Sequence, residues 1–154
     1  MPSMNARVDD RALITDLVVA YAYAVDECDW TAFESLFVPD AAIDYRSSGG
    51  IAGTPSEVAA WMPGAMALFT WSMHSVSTHR LSFRGEREAG GSLHAFARHG
   101  LTWKGFDEVM DVNVIYRDEY VRTDAGWRFA ARREDTLLIS GGRFAEIVTK
   151  SLAG

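Results

Sequence analysis

The 154-residue chain reads as a single α+β domain, helices first and a run of long antiparallel strands after them. Three observations predict this. Up to Phe69, apolar residues recur at three- and four-residue steps, the period of a helix. From Trp71 onward, four long strand-like segments follow, separated by short turns that contain glycine. No repeat, low-complexity tract or linker divides the chain, and its length suits one sizeable core. Residues 1–154 are therefore expected to form one domain, with 1–8 as an N-terminal arm and 141–154 as a C-terminal tail.

The elements follow in order. Asp9 and Asp10 place acidic groups at the positive end of a first helix. Leu13, Ile14, Leu17, Val18, Tyr21 and Val25 form its apolar face. Asp29 is a suitable N-cap for a short second helix carrying Trp30, Phe33, Leu36 and Phe37. Pro39-Asp40 is expected to end it. A strand is predicted over 41–46, with Ile43 and Tyr45 on one face and Asp44 on the other. Thr54, Pro55 and Glu57 have the spacing of a capping box with proline in the first turn. The third helix they open carries Val58, Trp61 and Met62 inward, and Pro63-Gly64 is expected to kink or interrupt it. Strands are then predicted over 71–84, 92–104, 108–123 and 127–140, with turns at GEREAGG, GFD and DAG. Short turns between consecutive strands make an antiparallel meander. If that sheet curls, a pocket opens between it and the helices.

Composition excludes several function classes. Hydrophobic residues make up 48% and charged residues 23%, ordinary values for a globular protein. The net charge of −6 argues against nucleic acid as a partner, which needs a basic face. No apolar run is long enough to span a bilayer, so no membrane partner is expected. The first ten residues lack the apolar core of a secretory signal. Cys28 is the single cysteine, which rules out an internal disulfide and suits a cytoplasmic location. The four histidines and Cys28 form no metal-ligand motif, and no glycine fingerprint for phosphate is present, so neither metal nor cofactor is expected. Twelve per cent aromatic residues, five of them Trp, suit a core and also an aromatic-lined cavity.

The chemistry most economically available is that of Asp26, at the end of the first helix in YAYAVDECDW, and His74, in WSMHSVSTH. A carboxylate that accepts an imidazole N–H fixes the ring's tautomer. The second ring nitrogen can then take a proton from carbon. Nearly fifty residues separate the pair, so the fold must bring them together.

The pieces VDECDW, FESLFVPDAAIDYRS, MHSVSTH and YRDEYVRTDAGWRFAARRED resemble the SnoaL-like and scytalone-dehydratase-like families, over residues 9–140. The resemblance implies three helices packed on a strongly curved, mostly antiparallel sheet, a cone with an internal pocket like that of ketosteroid isomerase. It implies an Asp–His dyad at Asp26 and His74, as in scytalone dehydratase, the bile-acid dehydratases and lindane dehydrochlorinase. There the His removes a proton next to a leaving group. Tyr21, Tyr45, His99 and Arg132 match substrate-binding positions. The chain departs from the pattern at Val25, where scytalone dehydratase has a tyrosine, and at Tyr21, where the dehydrochlorinase has a lysine. The expected activity is a cofactor-independent dehydratase-type elimination on a small cyclic hydrophobic substrate. An isomerase or polyketide cyclase using the same dyad, and a non-catalytic binding module, are the alternatives. Relatives bury the outer face of the sheet in dimers or trimers, so a homo-oligomer is expected.

Periodicity tests these assignments. Tyr21 and Asp26 lie about 140° apart on a helical wheel, and Tyr23 is closer in phase to Asp26. His94 and His99 alternate to opposite faces, with His99 preferred for the pocket. His79 falls opposite to His74. Arg132 falls opposite to Trp127 and Phe129, so it points outward unless a bulge intervenes. Arg98, Trp103 and Tyr116 are further wall candidates.

Overall fold

The computed structural model describes residues 4–154, with side chains from Arg7 onward. Helix α1 (Met4–Asp26) leads to α2 (Trp30–Ser35), strand β1 (Phe37–Asp44) and a 3-10 turn over residues 46–48. A short strand β2 (Ala52–Gly53) and helix α3 (Pro55–Met66) follow. Then come β3 (Trp71–Arg84), β4 (Glu88–Trp103), β5 (Phe106–Thr123), β6 (Gly126–Gly141) and a C-terminal helix α4 (Arg143–Leu152). The six strands form one curved, open sheet in the order β2-β1-β6-β5-β4-β3. Among the described residues its only parallel pair is β1 with β6. The α+β class, the three leading helices and the meander of four long strands are as the sequence predicts.

Local chemistry explains most boundaries. Asp29 caps α2 by accepting from the Ala32 N–H. Thr54 and Glu57 form the expected capping box. Helix α1 starts at Met4, so residues 4–8 are helix and no free arm; residues 1–3 lie outside the described residues. Asp10 is accordingly an internal residue of α1. It is buried and bonded by Arg122 and by the Trp127 indole N–H. Leu13 is exposed, whereas Ile14, Leu17, Val18, Tyr21 and Val25 enter the core.

Other boundaries differ from expectation for identifiable reasons. Phe37 opens β1 rather than closing α2, and Pro39 lies inside that strand. The ladder with β6 is irregular between Phe37 and Ala42, so the missing proline N–H costs no ladder bond there. Pro63 lies on an exposed face of α3, which runs on to Met66. The tail at 143–152 is helical. At the start of this tail, Gly141 has φ of 123°, and a Cβ there would collide with the Val109 carbonyl.

Three bulges break strand alternation. One lies between Ser77 and Arg80, where Thr78 takes φ of 50°. The other two lie on β6, at Ala130 and Leu137. The first turns His79 to the inner face, where it meets the Tyr120 hydroxyl at 3.2 Å, which corrects its expected outward placement. The bulge at Ala130 reverses the expectation for Arg132. Trp127 and Phe129 point inward, and so does Arg132, which is completely buried. The outer face keeps Trp71, Met73, Val109 and Leu138 exposed.

Candidate active site

Helix α1 ends in a Schellman motif. The Asp29 N–H donates to the Ala24 carbonyl at 2.9 Å and the Cys28 N–H to the Val25 carbonyl at 3.1 Å. Cys28 is the left-handed residue of that motif, with φ of 55°. This stop leaves Asp26 in the last helical position, beside strand β3. A carboxylate there opposes the helix dipole unless donors compensate. Three do. His74 N–H donates to Oδ2 at 2.8 Å and Ser72 Oγ–H to Oδ1 at 2.9 Å. His74 Nδ1 lies 2.6 Å from Oδ1. Burial works to raise the Asp26 pKa, but the bonds from His74 and Ser72 overcome it and hold the carboxyl below the ordinary range. The dyad geometry thus exists, with Nδ1 engaged and Nε2 the remaining ring nitrogen.

His74 lines a cavity of about 450 Å³ between the sheet and α1, α3 and α4. That is a normal size for a small-molecule site. Trp61, Met66, Phe69, Val112 and Phe144 make much of its apolar wall. Val25 takes part in the wall one residue before the dyad carboxylate. Helix α4 contributes Phe144 and Val148, so the C-terminal segment forms part of the wall of its own chain's cavity.

The polar end is built by tyrosines. The Tyr21 and Tyr45 hydroxyls share a hydrogen bond of 2.7 Å, and both residues line the cavity with Tyr116. Burial raises the pKa of all three, so they are neutral hydroxyls at physiological pH. Tyr21 and Asp26 satisfy their wheel separation because only Tyr21 reaches the cavity. Asp26 stands behind His74. Tyr23, the alternative wall residue, is exposed.

His99 lines the cavity, with its ring perpendicular to that of His74 and 5.6 Å away between centroids. Its Nδ1 is buried without a partner. Burial, then the neighbouring His74, pulls its pKa down to about 4. His94 is exposed, as expected. Arg98 is paired with Asp111 on the outer face, and Trp103 packs on Phe144 behind the wall.

Arg132 faces inward but does not line the cavity. It forms a fork with Asp118 at 2.8 and 2.7 Å and lies 4.1 Å from the ring centres of both Tyr21 and Tyr116. It therefore supports the floor rather than touching a ligand. Periodicity missed Glu134, which follows Arg132 on the same face after the Ala130 bulge. It lines the cavity and is bonded by Ser48 Oγ. Among the described residues, no group of three His, Cys, Asp or Glu is arranged to hold a metal ion.

Comparison with known proteins follows this geometry. Residues 6–133 match the SnoaL-like domain model. The chain belongs to the SnoaL-like domain family. Uncharacterized protein Rv2910c of Mycobacterium tuberculosis is 29% identical over 130 residues, covering 84% of this chain and 86% of that one. A Novosphingobium aromaticivorans protein with a provisional scytalone dehydratase name superposes with a TM-score of 0.79. It is 22% identical, with 90% of this chain and 91% of that chain covered. Hexachlorocyclohexane dehydrochlorinase LinA-type3 of Novosphingobium barchaimii gives 0.79 at 20% identity, with 92% and 95% covered. These structures share the fold of this SnoaL-like domain. No helix of the described residues is long and apolar enough to cross a membrane.

Proposed function

We propose that this SnoaL-like protein is a cofactor-independent lyase that eliminates water from a small, cyclic, largely hydrophobic substrate. The observation that carries the reading is the 2.6 Å contact between Asp26 and a His74 ring that lines a cavity of about 450 Å³. His74 Nε2 removes a proton from the carbon next to a substrate carbonyl. Asp26 fixes the tautomer and stabilises the imidazolium that forms. One hydroxyl of the Tyr21–Tyr45 pair, held by the other, donates to the carbonyl oxygen as negative charge develops there. His99, held neutral by its surroundings, adds a polar wall beside His74 without a second positive charge. Arg132 holds Tyr21 and Tyr116 in place from below.

A binding module makes no demand on a carboxylate and an imidazole in contact, and the three bonds to Asp26 support catalysis over that reading. The Tyr21–Tyr45 hydroxyl pair would serve an isomerase or cyclase equally, because both also pass through an enolate. The test is a mass-resolved screen of hydroxylated cyclic ketones. Loss of one water is the expected product change, and an unchanged mass would redirect the reading to isomerisation or cyclisation. His74→Ala should lower turnover by about a hundred- to ten-thousand-fold with the fold intact by circular dichroism. Wild-type turnover in that variant would overturn the dyad mechanism. The apolar residues Trp71, Met73, Val109 and Leu138 exposed on the outer face support a homodimer or homotrimer, to be read by light scattering.

A further inference from the structure

The cavity wall holds a carboxyl group, Glu134, whose surroundings are the reverse of those around Asp26 behind His74. Asp26 receives an imidazole, a hydroxyl and a backbone N–H. Glu134 is bonded by the neutral hydroxyl of Ser48, lies beside that of Tyr116, and has no ion pair among the described residues. Its backbone carbonyl is held separately by Ser47 Oγ at 2.9 Å, which fixes the strand at this point. The charged neighbours in sequence are turned away: Arg133 and Asp135 pair with each other on the outside. Arg132, on the same face, is committed to Asp118.

The groups that face Glu134 come from every surrounding element. Ser48 comes from the 3-10 turn, Tyr21 from α1, Tyr45 from the end of β1, Tyr116 from β5 and His74 from across the cavity. All but His74 are neutral hydroxyls. Strand register puts Glu134 opposite Tyr116, while His74 lies on the far edge strand in the row of Ala97 and Val112. The curl of the sheet makes these two rows opposite walls of one cavity. A desolvated carboxyl whose partners are neutral hydroxyls, with no cation paired to it, favours its uncharged form. Burial is the largest influence on Glu134 and raises its pKa; the bond from Ser48, the nearby His74, Tyr116 and Arg132 offset this only in part. A carboxyl favoured in its charged form behind His74, and one favoured in its neutral form on the opposite wall, mark a base side and an acid side.

We propose that Glu134, positioned by Ser48, is the proton-bearing group that receives an oxygen of an uncharged cyclic ligand on the wall opposite His74. This deepens the reading above, since it assumes the same small-molecule cavity. In an elimination, the C–H electron pair forms the new C=C bond and the C–O pair leaves with the oxygen. His74 holds the proton from carbon, and Glu134 protonates the departing hydroxyl as water. Transfer of the His74 proton to Glu134 then restores both groups. The cavity thereby selects a ring with a hydrogen-bond-accepting oxygen over a ring with an ammonium group.

The test uses the full chain and two probes of one ring skeleton: 2-tetralone, which only accepts hydrogen bonds, and 2-aminotetralin, a cation at neutral pH. Binding is measured by calorimetry for wild type, Glu134→Gln and Glu134→Ala. The tetralone should bind about tenfold more weakly to Glu134→Ala. Glu134→Gln, whose amide can still donate, should stay within about threefold of wild type. Infrared difference spectra between wild type and Glu134→Gln at neutral pH should show a protonated-carboxyl C=O band that shifts in deuterium oxide. Tight binding of 2-aminotetralin that Glu134→Gln abolishes, with carboxylate bands alone in the spectrum, would overturn the proposal in favour of a cation site. Equal tetralone binding in all three proteins would overturn it too. Absence of binding by either probe to wild type would overturn the ligand assignment and count against the small-molecule reading itself. Turnover lost in His74→Ala with unaltered Glu134 variants would overturn Glu134 alone.

Discussion

His99 offers the most quantitative test of this cavity. It is 7% exposed, its Nδ1 has no partner, and its ring lies 4.5 Å from that of Phe69 between centroids. Burial and His74 hold its pKa at about 4, against 6.5 for an ordinary imidazole. The sign follows from proton counting. Between those two values the unfolded chain binds a proton that the folded one refuses, so stability is full above about pH 6.5 and is lost as pH falls towards 4. The gap between folded and unfolded values is about 2.5, and each pH unit is worth about 1.4 kcal/mol, so His99 removes on the order of 3 kcal/mol over this window. In a protein of this size that is a melting-point drop of roughly 6–12 °C.

The perturbation is His99→Phe, which keeps an aromatic ring against Phe69 and removes the titrating group. The assay is urea denaturation at a series of pH values from about 7.5 to about 4.5, on both proteins. Other groups, Asp26 among them, also make the fold acid-sensitive, but they act in both. The wild type should lose on the order of 2–3 kcal/mol more than the variant over this range. At neutral pH the variant should be at least as stable, because an unpartnered buried ring nitrogen costs about 1–3 kcal/mol. Parallel stability curves for the two proteins would refute the assignment of His99 as a neutral, desolvated wall residue.

Three further outcomes are expected. Asp118→Asn leaves the Arg132 guanidinium buried without its counter-charge and should destabilise by about 3–5 kcal/mol; thermal melting checks this, and Asp118→Leu combined with Arg132→Met should recover much of the loss. Cys28→Gly relieves a left-handed non-glycine residue and should add roughly 1 kcal/mol by urea titration, with no change in the fold. Glu134 binds a proton more tightly when folded, so wild-type stability should fall as pH rises through its folded pKa; Glu134→Gln should match wild type in acid and exceed it near neutrality, and the reverse ordering would contradict a desolvated carboxyl.

What the sequence reveals here divides along the difference between period and parity. Helices and strands declare themselves through many residues at once, so four long strands and two capped helices are legible. The side on which one residue points depends on every residue counted before it. A single extra residue at Ala130 reverses the count along β6 until the second bulge at Leu137. Ala130 is small, has no unusual chemistry, and is followed by Ala131 and a charged run that would suit either face. The run Arg132-Arg133-Glu134-Asp135 is charged throughout, so no apolar alternation reports which pair is inside. That is why Arg132 reads as outward and Glu134 draws no attention. The bulge at Thr78 hides His79 in the same way. His74 and His99 face the cavity, and no bulge separates them from the apolar residues that set their phase.

The position of Asp26 has a structural cause as well as a chemical one, and this decides how the dyad should be tested. Strand β3 is an edge of the sheet, where alternate backbone N–H groups have no strand to pair with. Asp26 accepts one of them, from His74, and so seals the edge that presents the imidazole. Replacing Asp26 removes the tautomer-fixing bond and the edge contact together. Asn can keep an acceptor for one donor but turns N–H groups towards the others. An activity loss in Asp26→Asn would therefore combine chemistry with a shifted strand. His74→Ala leaves the His74 backbone N–H, Ser72 and the carboxylate all in place. It removes the imidazole alone, and it separates proton abstraction from the architecture that holds the base.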